Sequence, residues 1–501
     1  MNPVSDWPRS HARFQPEAPA VTDLGTGRRW TYAALQHEAL CWAERLRREG
    51  VRAGDRVAVL ALNRGETLAL LFAAAELGCV LFPMNWRLTP AELAYQVADC
   101  SPRLLIHDAA NDAVELGLPR WSMERGPEAQ PGAPGPGSAL EAAWIIMYTS
   151  GSTGRPKGAL ITHQQVFHNA VTTVLACGLD RGSATLTFAP LFHTGGMNCL
   201  STPLLFIGGH VILTPKLDAG ESLACIERDR VTHLMGVPTI YQMLADHPDF
   251  ARRDLSAVRD ALCGGAPLGV PLLLRYQDRG IPLRQGFGLT EVGPNCFSMP
   301  AARAREKMAG DPADPTAGPP GSCVGLPIHN IAARLLRADG SEAEVGEPGE
   351  LVLGGPMVCG GYWAHPEATA QAIRGGWFYT GDMLSRDREG YFYVRGRIKE
   401  MYKSGGENVY PAEIEGALMG HPSVAMAAVV GVAHPTWGEV GRAFLELHPG
   451  ASLDLASLQA LIEGSLAKFK RPKSIEVLAA LPRTGSGKID KAALAQLPPP
   501  R

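Results

Sequence analysis

The chain has 501 residues, of which 46% are apolar, and this length predicts two or three domains with cores of their own. The formal net charge of −3 gives no basis for expecting a nucleic-acid partner, and no apolar window is long enough to predict a membrane span. Ten cysteines occur singly, without a CxxC pair or metal-ligand spacing, and the first residues lack the apolar core of a signal peptide. We therefore expect a cytoplasmic protein without disulfides, and the composition leaves a homodimer open.

Short apolar runs alternate with helical segments between residues 57 and 290, which is the βα rhythm of a parallel sheet. Three of these runs cover residues 57–62, 80–82 and 104–107. A helix is predicted to begin at Pro90, because Thr89 can cap it and Glu92 stands three residues after the cap. This half of the chain is therefore predicted to be an α/β domain.

The pattern changes in the second half of the chain. Proline- and glycine-rich stretches at 125–140 and 310–322 are predicted to be surface connections. From about residue 331 strands and hairpins dominate, and residues 411–497 mix helices with strands. The sequence thus predicts a large N-terminal α/β domain, with parallel and mixed sheets layered with helices, and a small α+β C-terminal domain.

Residues 148–158 (YTSGSTGRPKG) form a candidate polyphosphate loop directly after an apolar run. Glycines let the backbone approach phosphate oxygens, hydroxyls donate hydrogen bonds and a lysine adds a mobile charge. The candidate contacts are Thr149, Ser150, Gly151, Ser152, Thr153, Gly154 and Lys157. A P-loop is excluded, because Pro156 precedes the lysine and Gly158 follows it where a P-loop begins a helix. A Ser/Gly linker is the alternative for this loop taken alone.

Further motifs follow this loop in a fixed order. They are GGAP at 264–267, QGFGLTE at 285–291, YTGD at 379–382, GRIKE at 396–400, KSGGENVYPAEIE at 403–415 and PRTGSGK at 482–488. Each motif alone has a structural alternative, namely a turn, a hairpin aspartate or a solvated loop lysine. Together they resemble the AMP-forming acyl-CoA synthetase family, the adenylating enzymes that include luciferases and nonribosomal adenylation domains. The resemblance extends from about residue 31 to 491.

The resemblance implies a nucleotide site. Its adenine-binding part would comprise Gly264, Gly265, Ala266, Gln285, Gly286, Phe287 and Gly288. The ring of Phe287, where the family usually has tyrosine, would stack on adenine. Thr290 would meet the phosphate, and Glu291 would help to hold Mg²⁺, a hard cation that prefers carboxylate and phosphate oxygens. Asp382 would accept hydrogen bonds from the ribose hydroxyls, with Arg397 beside it.

The resemblance also implies a mobile C-terminal domain that carries the catalytic Lys488. Lys399 would be the pivot at which this domain rotates, exchanging Lys488 for a face that contains Gly405 and Gly406. Tyr402 stands where an aliphatic residue is usual in the family, which concerns packing beside the pivot. The implied domains are residues 1–396, which bind ATP and acid, and residues 397–501, which move.

Acid and thiol sites are implied more loosely. His193, in PLFHTGG, matches the family's gate between the acyl pocket and the CoA tunnel, although a lone histidine is more often a core residue. Arg471, in a short basic run, and Trp437 are candidate contacts for coenzyme A. The pocket segments 192–200 and 264–266 hold His193 as their one titratable cation, which favours a fatty or aromatic monocarboxylate over a dicarboxylate.

We therefore expect an acid–CoA ligase that uses ATP, Mg²⁺ and coenzyme A. The acid and ATP would form an acyl-adenylate and pyrophosphate, and CoA would then displace AMP. The first alternative is a standalone adenylating enzyme that delivers the acyl group to a carrier protein or another acceptor. The second is a nucleotide-binding regulator without catalysis, which would be expected to lose Lys488 or Glu291, and the chain has both.

Overall fold

A computed structural model describes residues 5–135, 137–149, 155–310, 314–484 and 488–498. The strands are β1 (Pro19–Asp23), β2 (Arg29–Thr31), β3 (Arg56–Leu60), β4 (Val80–Pro83), β5 (Leu104–His107), β6 (Arg120–Ser122), β7 (Ala143–Thr149), β8 (Lys157–Thr162), β9 (Ala184–Thr187), β10 (His210–Leu213), β11 (His233–Gly236), β12 (Asp260–Cys263), β13 (Leu283–Leu289), β14 (Gly293–Ser298), β15 (Cys323–Pro327), β16 (Ala332–Leu336), β17 (Gly349–Gly354), β18 (Ile373–Arg374), β19 (Trp377–Arg386), β20 (Phe392–Arg397), β21 (Tyr402–Ser404), β22 (Glu407–Val409), β23 (Val424–His434), β24 (Gly438–Leu447) and β25 (Ser474–Leu478).

The helices are α1 (Trp7–Phe14), α2 (Tyr32–Arg48), α3 (Gly65–Leu77), α4 (Pro90–Cys100), α5 (His163–Cys177), α6 (Thr194–Gly196), α7 (Thr202–Ile207), α8 (Ala219–Arg228), α9 (Pro238–Asp246), α10 (Val270–Gln277), α11 (Ala301–Ala309), α12 (Pro366–Ala372), α13 (Pro411–Leu418), α14 (Leu455–Ser465) and α15 (Lys491–Ala495). The predicted start of α4 is confirmed. The Thr89 side chain accepts from the backbone of Glu92, and the Glu92 carboxylate accepts from the backbone of Thr89 at 2.8 Å. This reciprocal capping satisfies two donors that a helix N-terminus leaves open.

Three sheets organise the chain. A six-stranded sheet has the order β6-β5-β3-β4-β7-β8, and every neighbouring pair is parallel except the pair β7 and β8, which is antiparallel. A fourteen-stranded sheet runs β16-β17-β19-β20-β15-β14-β13-β12-β11-β9-β10-β1-β2, with β18 paired to β19. The predicted parallel rhythm is confirmed from β9 to β13, and the sheet turns antiparallel between β13 and β14. The mixed α/β architecture agrees with the predicted fold class.

The main core lies where helices cover the two large sheets. Helix α3 is buried along nearly its whole length, because its LALLFAAA run has no polar face to turn toward solvent. The Trp144 indole donates to the Leu71 carbonyl at 2.7 Å, which satisfies a polar group inside this core. All ten cysteines are free, and all except the half-buried Cys177 are buried. Burial raises the pKa of every one of these thiols.

The third sheet is small and uses only the C-terminal part of the chain. Its order is β22-β21-β24-β23, with β25 parallel to β24. Tyr402, the residue noted beside the predicted pivot, is buried in its core and lies against the backbones of Gly431 and Gly441. The domain boundary at 396/397 stays a prediction. No described helix is long and apolar enough to cross a membrane.

Candidate active site

Three of the predicted segments follow parallel strands of the fourteen-stranded sheet. The segment up to His193 follows β9, residues 264–266 follow β12, and residues 285–291 form the end of β13 and the turn after it. These are the carboxyl ends of parallel strands, beside the point where the next pair, β13 and β14, becomes antiparallel. Open α/β sheets form their ligand crevices at such places.

The candidate polyphosphate loop connects the antiparallel strands β7 and β8. Thr149 ends β7, Lys157 begins β8, and the two residues face each other in the antiparallel register. A strand begins at the lysine where a P-loop would begin a helix, which agrees with the exclusion of a P-loop. The candidate contacts Ser150, Gly151, Ser152, Thr153 and Gly154 lie outside the described residues.

Glu291 lies directly beside this hairpin. Its Oε1 atom accepts a hydrogen bond from the Thr149 hydroxyl at 3.3 Å and another from the Tyr362 hydroxyl at 3.0 Å. The Lys157 ammonium stands 5.7 Å from the centre of the Tyr362 ring. Thr290 is buried, and its carbonyl accepts from the Gln165 amide at 3.0 Å. Glu291 and Lys157 therefore both lie near Tyr362, beside the two described ends of the phosphate loop.

The predicted adenine wall is built largely from backbone. Gly265 has φ +78°, a conformation that favours glycine, and a Cβ on Gly264 would meet nothing nearer than the Gly286 carbonyl at 3.9 Å. The Gln285 amide is used by protein backbone: it accepts from Leu268 N–H at 2.7 Å and donates to the carbonyls of Gly286 and Ala266. The Gln285 amide therefore holds the backbone of the adenine wall in place by hydrogen bonds.

Two other residues fix the shape of this wall. The ring of Phe287 packs edge-to-face on Phe297, with centroids 5.7 Å apart. A Cβ on Gly288 would lie 2.1 Å from the Pro294 carbonyl oxygen, so only glycine fits there.

The ribose candidates form a pair. Arg397 donates from Nε to Asp382 Oδ1 at 2.8 Å, across the paired strands β19 and β20. Burial raises the pKa of Asp382, and Arg397 opposes that rise. Asp382 still has a second carboxylate oxygen, Oδ2, that accepts no hydrogen bond from the described residues. This carboxylate oxygen is thus left to accept hydrogen bonds from the two ribose hydroxyls.

Lys488 enters the same site from the C-terminal part of the chain. Burial and the neighbouring Arg397 lower the pKa of its ammonium, although the side chain keeps contact with solvent. Three carboxylates oppose this effect, those of Glu291, Asp382 and Glu400. Residues 485–487 of the PRTGSGK motif lie outside the described residues. Lys488 is therefore within electrostatic reach of both the predicted metal carboxylate and the ribose pair.

His193 caps the short helix α6, and its Nδ1 accepts from the Gly195 N–H at 3.2 Å. Burial, with a smaller contribution from Lys488, lowers its pKa to about 4. The imidazole is therefore neutral at physiological pH. Sequence reasoning overlooked Arg87, whose guanidinium lies 5.9 Å from the ring centre of the adjacent Phe192. No ion pair engages Arg87 within the described ranges.

The remaining predicted residues lie in the C-terminal part of the chain, after β20. Gly405 donates its N–H to the Trp437 carbonyl at 2.9 Å, and the Trp437 side chain is 46% exposed beside it. Gly406 follows in the same turn, with open space at its Cβ position. Arg471 donates to the carbonyls of Leu466 and Glu463 at the end of α14. Lys399 lies in the turn between β20 and β21. Gly405, Gly406, Trp437 and Arg471 form no hydrogen bond or ion pair with the phosphate and ribose candidates among the described residues.

A cleft of about 570 Å³ opens at the amino ends of β9, β10 and β11. Its lining includes three arginines, Arg181, Arg230 and Arg259. Because the candidate site lies at the opposite ends of these strands, this cleft is not part of it.

The described residues offer few protein ligands for a metal ion. Within the described ranges, no three His, Cys, Asp or Glu side chains cluster as a metal site. Glu291 nevertheless fits a cation that takes one carboxylate from the protein and further oxygens from a nucleotide and water, as Mg²⁺ does.

The chain is similar to known proteins over nearly its whole length. A family model described as AMP-binding enzyme matches residues 8–363, and one described as AMP-binding enzyme C-terminal domain matches residues 413–488. A feruloyl-CoA synthase of Amycolatopsis sp is 41% identical over 493 residues, which is 97% of each chain. An indoleacetate–CoA ligase of Aromatoleum aromaticum is 37% identical, covering 99% of this chain and 98% of that protein. A solved o-succinylbenzoate CoA synthetase from Bacillus subtilis, in complex with its acyl-adenylate, has a TM-score of 0.88 at 29% identity and covers 99% of both chains.

Proposed function

Since the chain belongs to the AMP-binding enzyme family and is an AMP-forming acid–CoA ligase, we propose that its acid is an aromatic monocarboxylate of the hydroxycinnamate or arylacetate type. The sequence expectation left fatty and aromatic acids open. Two similar relatives are named a feruloyl-CoA synthase and an indoleacetate–CoA ligase, which favours the aromatic class.

The observation that supports the proposal is the glycine backbone at the carboxyl ends of two strands. Gly264 and Gly265 follow β12, and Gly195 follows β9, where a Cβ would stand 3.1 Å from the Met235 methyl group. A planar ring placed here would meet mostly backbone, and a methionine thioether makes favourable contacts with aromatic rings. Burial of the ring would supply binding energy at roughly 25 cal/mol per Å².

The reaction has two steps, adenylation of the acid and transfer of the acyl group to CoA. The acid's carboxylate oxygen attacks the α-phosphorus of ATP and pyrophosphate leaves; the CoA thiol, losing its proton, then attacks the acyl carbon and AMP leaves. Lys488 and Lys157 supply positive charge to the phosphates, and Asp382 with Arg397 holds the ribose. Glu291 would hold Mg²⁺, which when bound neutralises phosphate charge. No protein nucleophile is needed, because positioning and charge stabilisation lower the barrier.

The test is a panel of acids in one assay of AMP and acyl-CoA formation. Ferulate and indoleacetate should exceed octanoate and palmitate in kcat/KM by at least about tenfold, the worth of roughly 1.4 kcal/mol. Octanoate or palmitate as the best substrate would contradict the aromatic assignment. Omission of CoA is the control against a standalone adenylating enzyme, since acyl-adenylate should then accumulate without steady AMP release.

A second candidate is an aromatic acid with an additional carboxylate. Arg87 beside Phe192 favours it, because this cation has no described carboxylate partner. The solved o-succinylbenzoate synthetase is named for such an acid. An Arg87→Ala variant separates the candidates: it should weaken 2-succinylbenzoate selectively if that acid is the substrate. Equal loss for every acid, restored by excess CoA, would instead assign Arg87 to the thiol substrate.

A further inference from the structure

We propose that Tyr362 is a positioning residue that orients the Glu291 carboxylate for the metal–nucleotide complex. This inference rests on the proposed nucleotide site, and none of the sequence motifs includes Tyr362. The Tyr362 hydroxyl donates to Glu291 Oε1 at 3.0 Å, across 71 positions of the chain. A tyrosine hydroxyl is protonated at physiological pH, and an ionised carboxylate can only accept, so Tyr362 is the donor in this bond.

The two oxygens of Glu291 have different environments. Oε1 accepts from both Tyr362 and Thr149, whereas Oε2 accepts no hydrogen bond from the described residues. Two donors on one oxygen fix the rotation of the carboxylate and leave the lone pairs of the other oxygen available to a cation. Partners of this kind, which hold a ligand without touching the metal, set its orientation and basicity.

Hydrogen bonds hold the backbone of Tyr362 and of the residue after it. Its N–H donates to the Thr369 hydroxyl at 2.9 Å, and the next residue, Trp363, donates its N–H to the Gly158 carbonyl at 2.8 Å. Gly361, just before it, has φ +102°, and a Cβ there would lie 2.5 Å from a Thr369 carbon. The segment thus lies along β8, the second strand of the phosphate hairpin.

The same segment also holds the backbone of Glu291. Cys359 donates its N–H to the Glu291 carbonyl at 2.7 Å, three residues before the tyrosine that holds its side chain. The ring of Tyr362 faces the Lys157 ammonium at 5.7 Å. One short segment therefore sets the spacing between the phosphate lysine and the metal carboxylate.

The test uses Tyr362→Phe, which keeps the ring beside Lys157 and removes only the hydroxyl. Mn²⁺ binding to the full-length enzyme with a non-hydrolysable ATP analogue is measured by electron paramagnetic resonance. Affinity should fall about 10- to 100-fold, as for other partners of metal ligands, with the same shift in the Mg²⁺ requirement of adenylation. The KM for the acid should stay unchanged.

Tyr393→Phe is the matched control, because Tyr393 also donates to a carboxylate, Asp387, at 2.9 Å outside the site. It should leave Mn²⁺ affinity unchanged. Thr149→Val, which removes the other donor to Oε1, should weaken Mn²⁺ binding in the same direction, and this second variant keeps the test decisive if Tyr362→Phe folds poorly. Unchanged Mn²⁺ affinity in folded Tyr362→Phe would overturn the proposal. Mn²⁺–nucleotide binding is read without any acid, so a failure of the aromatic substrate assignment is distinguishable.

Discussion

The two parts of the candidate site are built in different ways. In the large sheets, Glu291, Asp382 and Tyr362 are held by hydrogen bonds between strands and segments that are themselves paired. Lys488 comes from beyond the small sheet, next to α15, where Lys491 bonds Glu400 and Glu415 at 2.5 and 2.8 Å. Most of the candidate charge-binding surface is therefore held within the large sheets, whereas we predict that the placement of Lys488 depends on the position of the small domain.

The sharpest test of this contrast is Lys488→Ala. Adenylation of the acid should fall roughly 10²- to 10³-fold, the effect of removing one preorganised charge-stabilising group. Thioester formation from supplied acyl-adenylate should stay near the wild-type rate, because only the first step needs this cation. Pyrophosphate release and acyl-adenylate consumption are measured separately. Lys216→Ala, on an exposed lysine of the large domain, is the control. Equal losses in both half-reactions would contradict a role for Lys488 in adenylation alone.

Lys399→Pro tests whether the small domain turns at the predicted pivot. A fixed φ at this turn should obstruct rotation, so thioester formation should fall about a hundredfold while adenylation changes only a few-fold. Lys399→Ala keeps the backbone free and should preserve both half-reactions. Unimpaired thioester synthesis in the proline variant would remove Lys399 from the hinge.

The pH dependence should differ between the half-reactions. Burial and Arg397 lower the pKa of Lys488 from its ordinary 10.5, so its positive charge is lost at a lower pH than that of a solvated lysine. Adenylation should therefore decline by several-fold as pH rises through that lowered pKa, and thioester formation from supplied acyl-adenylate should not show this decline. Measuring the rates of both steps across the alkaline range checks the prediction. The same decline in both steps would indicate that a group other than Lys488 titrates. His193, with its pKa lowered to about 4, should not shape either profile above pH 6.

The smallest expected effect concerns stability. Gly464 lies in α14 of the small domain with open space at its Cβ position, so Gly464→Ala should stabilise that domain by about 0.5–1 kcal/mol. Denaturant unfolding measures this, and the adenylation rate should not change. Gly288→Ala is the contrasting variant, because its Cβ would meet the Pro294 carbonyl and disturb the turn before Glu291. If the two variants affected adenylation alike, the small domain and the preformed surface would not be independent.

Features set by neighbouring residues could be predicted from the sequence. The capping of α4 by Thr89 and Glu92 needs only four consecutive positions, and the hairpin of β19 and β20 follows from one continuous run. Glycine-rich motifs identified the family for the same reason, since each records a local backbone requirement. The fold class followed from the alternation of such local patterns.

Contacts between distant segments could not be read in this way. The bond from Tyr362 to Glu291 depends on how a segment after β17 registers beside β8, and nothing local to either residue specifies it. Arg87 lies beside Phe192 for a similar reason, because two separate sheets bring their loops together. Gln285 shows the converse case: its motif placed it near the nucleotide, while its amide is used by the backbone of the wall.

The burial of the cysteines makes the chain convenient for distance measurements by thiol labelling. With nine thiols buried, the tenth half-buried and all ten pKa values raised, few thiolates form at neutral pH to compete for a probe. Cysteines introduced at two exposed positions, Gly464 on the small domain and Gln371 on the large one, would carry a pair of spin labels or fluorophores without removal of native residues. The separation between these labels, followed as ATP, acid and CoA are added in turn, would show directly whether the predicted domain motion occurs.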